Sequence, residues 1–175
     1  MKTRTQIKHV RAIHESPLRH DHFKLRGYLE FVLRDAVTGE VVGRGKKKNT
    51  VTASGRGWAL ERLTPSSNAQ VLSAIAIGST STAPTSNDTN LPGYATIRNF
   101  GTTGLTTANN SPCTFTGAVS FASNETFTGS SAIYEFGIYN SATSSGGRLF
   151  NRLTTGTPIN FATSNTLAIT ITITN

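Results

Sequence analysis

The residues equipped for chemistry are few and lie far apart in this chain. All four histidines (His9, His14, His20, His22) fall in the first 22 of 175 residues. His20 and His22 flank Asp21, and two strand-spaced imidazoles on one face can share a metal if a third ligand arrives. An interface arm that happens to contain His accounts for the same spacing, so neither a metal nor a cofactor is expected. Past residue 62 there is no His, and the only carboxylates are Asp88, Glu125 and Glu135. A Ser/His/Asp triad would have to borrow its imidazole from the first 22 residues, where catalytic geometry could hardly be held. A glycosidase-like carboxylate pair is conceivable with Glu125 and Glu135, but nothing else in the sequence supports that chemistry. No G-x-S-x-G elbow, phosphate-cradling P-loop or H-E-x-x-H is present. The single Cys113 excludes an internal disulfide and a Cys-based zinc cage. The expectation is a protein with no catalytic residues.

Charge is more informative. Residues 1–62 hold 14 of the 17 Lys/Arg and six of the nine Asp/Glu, and so carry the whole net charge of +8. Residues 63–175 balance Arg98, Arg148 and Arg152 against Asp88, Glu125 and Glu135. Such asymmetry between halves points to an anionic partner for one of them. The candidate contacts are Lys2, Arg4, Lys8, Arg11 and Arg19 in the first segment and the run Lys46-Lys47-Lys48 further on. Aromatic side chains for base stacking are not interleaved with these charges. An acidic protein neighbour therefore ranks ahead of nucleic acid. The start of the chain has no apolar stretch, and no run approaches the roughly 18 apolar residues of a membrane helix. Synthesis in a cytoplasm, with neither signal peptide nor membrane anchor, is expected.

The elements that must position these residues read as β. Residues 1–22 form an extended basic arm: Pro17 breaks a helix, and apolar residues are too sparse to anchor a core. The remainder, 23–175, is one domain. Over 24–34, Leu25, Leu29, Phe31 and Leu33 share one parity and Lys24, Arg26, Glu30 and Arg34 the other, the period of a half-buried strand. Residues 35–39 supply a turn, and 40–48 return with the lysine run at the far end. Ser54 is placed to cap a short helix over about 54–63, with Ala59, Leu60 and Leu63 on one face, Trp58 packing at its middle and Pro65 beyond its end. Residues 71–77 read as an apolar strand and 78–92 as a polar loop. Phe115, Val119 and Phe121 alternate with small residues. Glu135 lies in an apolar strand, where pairing with Arg98, Arg148 or Arg152 at a sheet edge is expected. Leu167, Ile169, Ile171 and Ile173 alternate with Ala168, Thr170, Thr172 and Thr174, the cleanest strand of all. Left open, its edge would be hazardous, so it is expected inside a sheet or under another copy, most simply in a trimer. The fold class is all-β, a β-sandwich or jelly-roll-like body with one short helix.

Five segments in order carry a resemblance. Following a hairpin over 28–45, Asn49-Thr50-Val51-Thr52-Ala53-Ser54-Gly55-Arg56 is similar to an "N-x-V-T-x-x-G-R" entry to a helix. Ile75-Ala76-Ile77-Gly78-Ser79 and Ala83-Pro84-Thr85, completed by Asp88-Thr89-Asn90-Leu91, are similar to "I-A-x-G-x…A-P-T…D-T-x-L". Tyr134-Glu135-Phe136-Gly137-Ile138-Tyr139-Asn140 resembles "x-E-x-G-(L/I)-(Y/F)-N", with Tyr134 where an Arg is common. Leu149-Phe150-Asn151-Arg152-Leu153 and the Thr-rich last strand complete the pattern. The order resembles small virion proteins of tailed bacteriophages over about residues 25–174. The resemblance implies a structural part of a particle, whether capsid decoration, head fibre or tail component, and brings no catalytic residues with it. The reading is a homo-oligomeric virion protein that docks on capsid or tail subunits through its basic region. A receptor- or glycan-binding tip using the loops 78–92 and 102–112 is the alternative, and a nucleic-acid-binding protein the second alternative.

Overall fold

The computed structural model describes residues 25–61, 71–106, 113–123, 125, 127, 132–143 and 147–174. The basic arm with Lys2, Arg4, Lys8, Arg11, Arg19, His20 and His22 lies outside them, as do Leu63, Pro65 and 107–112. The described chain is an all-β sandwich with one short helix. Ten strands form two antiparallel sheets.

The first hairpin follows its sequence pattern closely. Strand β1 (Arg26–Asp35) pairs with β2 (Val41–Lys48), bringing Phe31 opposite Gly45 and Glu30 opposite Lys46. The Asp35 carboxylate accepts the N–H groups of Val37 and Thr38 at 2.9 and 2.8 Å. Gly39 takes the positive φ of 73° that closes the turn, a conformation glycine adopts without steric penalty. The other side of β1 pairs along its full length with β10 (Asn165–Thr174). Strand β10 in turn pairs with β7 (Thr114–Phe121), and β7 with β6 (Thr102–Thr106), giving the order β2-β1-β10-β7-β6. The Ile-rich strand thus sits at the centre of its sheet. Leu167, Ile169, Ile171 and Ile173 are buried, and its threonines form part of the outer face.

The second sheet has the order β3-β9-β8-β4-β5. Its strands are β3 (Thr50–Val51), β4 (Ala74–Gly78), β5 (Tyr94–Asn99), β8 (Ala132–Tyr139) and β9 (Leu149–Asn160). Its inner face contributes Ile75, Ile77, Phe136, Ile138, Phe150 and Leu153 to the main core against β1, β7 and β10. Its outer face carries an apolar patch too. Ala74, Ala76, Tyr139 and Leu149 form a second buried cluster with Leu91, which comes from the loop 79–93. The loop roofs the sheet. Both faces of β4 and most of β8 are consequently buried, which accounts for the apolar character of both parities there.

Several expectations are corrected. Strand β4 begins at Ala74, and Val71 is exposed. Residues 102–106, expected as loop, form the edge strand β6, and β5 had no clear alternation to announce it. Helix α1 (Ala53–Glu61) is capped by Thr52 rather than Ser54: the Thr52 hydroxyl accepts the Gly55 N–H at 3.0 Å. Trp58 meets the Phe150 ring edge-on at 5.7 Å between centroids, as its size suggested. Leu60 is largely exposed, off the packed face. No described helix is long and apolar enough to cross a membrane.

Candidate functional site

Beneath the roof loop lies the main concentration of buried charge in the described structure. Strand β8 presents Glu135, and β9 presents Arg152 on the same outer face; both are essentially inaccessible. The Arg152 Nε and Nη2 groups lie 2.8 and 2.7 Å from one Glu135 oxygen. Its Nη1 donates to the Asp88 carboxylate at 2.8 Å, and its Nη2 donates to the Thr82 carbonyl at 2.9 Å. The second Glu135 oxygen accepts the Gly93 N–H at 2.7 Å. Asp88 also accepts the Thr85 N–H and hydroxyl at 2.9 and 2.7 Å. The guanidinium therefore ties two strands to the start and middle of the loop, and its partner Glu135 holds the loop's end at Gly93. An arginine suits this place because its planar fork can serve two carboxylates and a carbonyl at once.

The electrostatics follow from this packing. Desolvation acts to raise the Asp88 carboxyl, but the Thr85 N–H, the Arg152 guanidinium and the Thr85 hydroxyl together hold it below its ordinary value of 3.8. Desolvation would likewise lower Arg152, and its bonds to Asp88 and Glu135 reverse the sign and raise it. Burial pushes the Tyr139 hydroxyl up to about 12, against the opposing effect of the Leu91 N–H that it accepts at 3.0 Å. Charge and hydrogen bonding are thus spent inside the cluster. What this arrangement can do is hold a 15-residue stretch without regular structure in one position over the sheet.

The same region receives the helix. The Thr52 hydroxyl donates into the carbonyls of Leu149 and Phe150, at 2.7 and 3.1 Å, while accepting the Gly55 N–H. The Ala53 N–H donates to the Ser86 carbonyl at 2.6 Å, joining the helix start to the roof loop. Gly55 lies so close to β9 that a Cβ on it would stand 2.0 Å from the Phe150 carbonyl oxygen. A Cβ on Gly137 would meet Leu91 at 2.3 Å. Arg56 donates to the Val51 carbonyl at 3.1 Å, and Asn140 accepts the Arg148 N–H at 2.7 Å. Four of the segments that carry the resemblance, those within 49–56, 75–91, 134–140 and 149–153, therefore meet around one brace although up to about a hundred residues separate them in sequence. The hairpin and the last strand lie in the other sheet.

Of the three arginines offered to Glu135, Arg152 is the partner. The expected edge location is wrong: β8 is the middle strand of its sheet, and the loop supplies the cover. Arg98 pairs with Glu125, and Arg148 with Glu61 at 2.6 Å. Glu125 and Glu135 are thus taken by different arginines. Asp88, Thr52, Gly55 and Tyr139 had no role assigned from sequence, because nothing local marks a contact made 48 to 98 residues away.

Of the sequence-selected cations, the described structure contains Lys46, Lys47 and Lys48, on the edge strand β2. Lys46 and Lys48 share the outer face with Arg44. The Lys46 ammonium lies 2.5 Å from the Glu30 carboxylate and 5.4 Å from the centre of the Tyr28 ring. Lys47 has the other parity, with Gly43 and Gly45, and lines a groove of about 700 Å³ between β2 and residues 155–160 of β9. Compared with known proteins, the chain matches no family model, no curated protein and no solved structure.

Proposed function

We propose that this chain is a structural component of a tailed-bacteriophage particle, as a capsid decoration, head fibre or tail part. Its basic region docks on acidic capsid or tail subunits, and its sandwich self-associates. The observation that carries this reading is that four of the resembling segments, within 49–56, 75–91, 134–140 and 149–153, meet in one brace. Thr52, Gly55, Asp88, Glu135, Tyr139 and Arg152 serve the placement of a helix and a loop on a sheet. A pattern built of such residues specifies shape, which is the requirement on a part that must fit neighbours. The concentration of charge in residues 1–62 supports docking on an anionic surface.

A second reading, a receptor- or glycan-binding tip, is favoured by one observation. The roof loop is braced from beneath while Ser81, Thr82, Asn87, Thr89 and Asn90 remain exposed above. The two readings part in a co-sedimentation experiment with purified particles of the encoding phage and the full chain. Docking predicts association that weakens as salt rises, since exposed charges are screened within about 8 Å at physiological ionic strength. Replacing Lys46, Lys47 and Lys48 together with Gln should weaken it a few-fold, each exposed pair being worth only about 0–1 kcal/mol. Binding that is flat in salt and unchanged in the triple variant contradicts electrostatic docking.

A further inference from the structure

Strand β2 ends its sheet, and among the described residues no strand pairs with its outer edge. A bulge at Val42 breaks the register with β1, leaving Gly43 to Lys48 as the straight stretch whose outward N–H and C=O groups can accept a further strand. Its inward positions are unusual for an edge. Gly43 and Gly45 stand opposite Leu33 and Phe31, so of the inward positions of Gly43 to Lys48 only Lys47 carries a side chain. The space beside the two glycines is the groove, floored by Phe31, Leu33, Pro158 and Ile159. Lys47 shares the groove face, Arg44 and Lys46 border it with the outer-face parity, and no acidic residue lines it. Lysines on an edge ordinarily prevent pairing. Against a second copy of β2 they do so, setting like charges side by side. Against an acidic strand the same charges attract, so one feature excludes the wrong partner and selects the right one.

We propose that β2 receives an extended acidic segment of a partner protein as a sixth strand. Alternate apolar side chains of that segment enter the groove over Phe31, Leu33 and Ile159, and its carboxylates face Arg44, Lys46 and Lys48. Main-chain bonds supply affinity and the alternation supplies specificity. The inference deepens the docking reading, on which it rests for the partner being a protein.

The test uses the full chain and a labelled ten-residue peptide of alternating Glu and Val. Saturable binding is expected, with slowed hydrogen exchange at the amides of Gly43 to Lys48. Methylating alternate peptide nitrogens, which removes the pairing N–H groups, should weaken binding at least tenfold. Gly43→Val provides a variant that fits: its Cβ would lie 3.5 Å from Leu33, an ordinary contact. By filling the groove it should reduce peptide affinity several-fold without lowering the melting temperature. Equal binding of the methylated peptide, equal binding of a Lys/Val peptide, or no saturable binding would overturn the proposal. So would a DNA duplex that binds in its place without protecting those amides. Because no particle enters this experiment, its failure is separate from that of the docking reading, which fails when the full chain does not co-sediment.

Discussion

Gly55 shows how far a single position can be fixed by a distant segment. Glycine inside a helix is unfavourable relative to Ala by about 0.8–1.0 kcal/mol, so propensity alone favours Gly55→Ala. The structure reverses that sign, because the new methyl would stand 2.0 Å from the Phe150 carbonyl oxygen. Backbone cannot move aside as a flexible side chain would, and overpacking of this kind costs about 1–3 kcal/mol. We predict that Gly55→Ala lowers the urea midpoint; a raised midpoint would mean that α1 is free to shift away from β9. Thr52→Val is nearly isosteric and removes a cap together with the bond into Leu149. It is predicted to destabilise by about 1–2 kcal/mol in the same measurement. A change below about 0.3 kcal/mol would contradict the cap.

Among the elements, the roof loop depends most on charge. The Asp88 carboxyl is held below its ordinary value, so the stability it contributes is full above that value and is lost as pH falls through the lower, folded one. Asp88→Asn should be less stable than the native chain by about 1–3 kcal/mol near neutral pH. The gap should narrow below about pH 4 as the native carboxyl gains its proton. Denaturation midpoints of both proteins across that range check this, and a gap constant down to about pH 3 would contradict it. The same element marks the limit of sequence reading. The first hairpin and β10 were legible because their outer faces meet solvent, leaving a polar row against an apolar one. Strand β8 has no such contrast, and Glu135 in it looked like an edge residue. Its true setting depends on a loop that folds back over the sheet, and no local period encodes a cover. The short, polar β5 and β6 were missed because hydrophobic alternation is weak in both. The sequence places the helix cap two residues late, at Ser54 in place of Thr52, because two hydroxyl residues compete for it and only the contact with β9 decides between them.

At the scale of the whole molecule, structural charge and surface charge are separate. The brace holds its ions buried against the second sheet, whereas the lysine run lies solvated on the edge of the first. Replacing Lys46, Lys47 and Lys48 with Gln should therefore leave stability within about 0.5 kcal/mol, while changing attachment. A loss of more than about 1 kcal/mol would show that the run supports the fold. The central claim, that this chain is a built-in part of a phage particle, is tested most directly by its copy number in gradient-purified particles, measured by quantitative mass spectrometry against the major capsid protein. The account predicts a fixed number per particle, a multiple of the symmetry of a head or tail ring. A chain found only in the soluble lysate, or at a few irreproducible copies per particle, would contradict it.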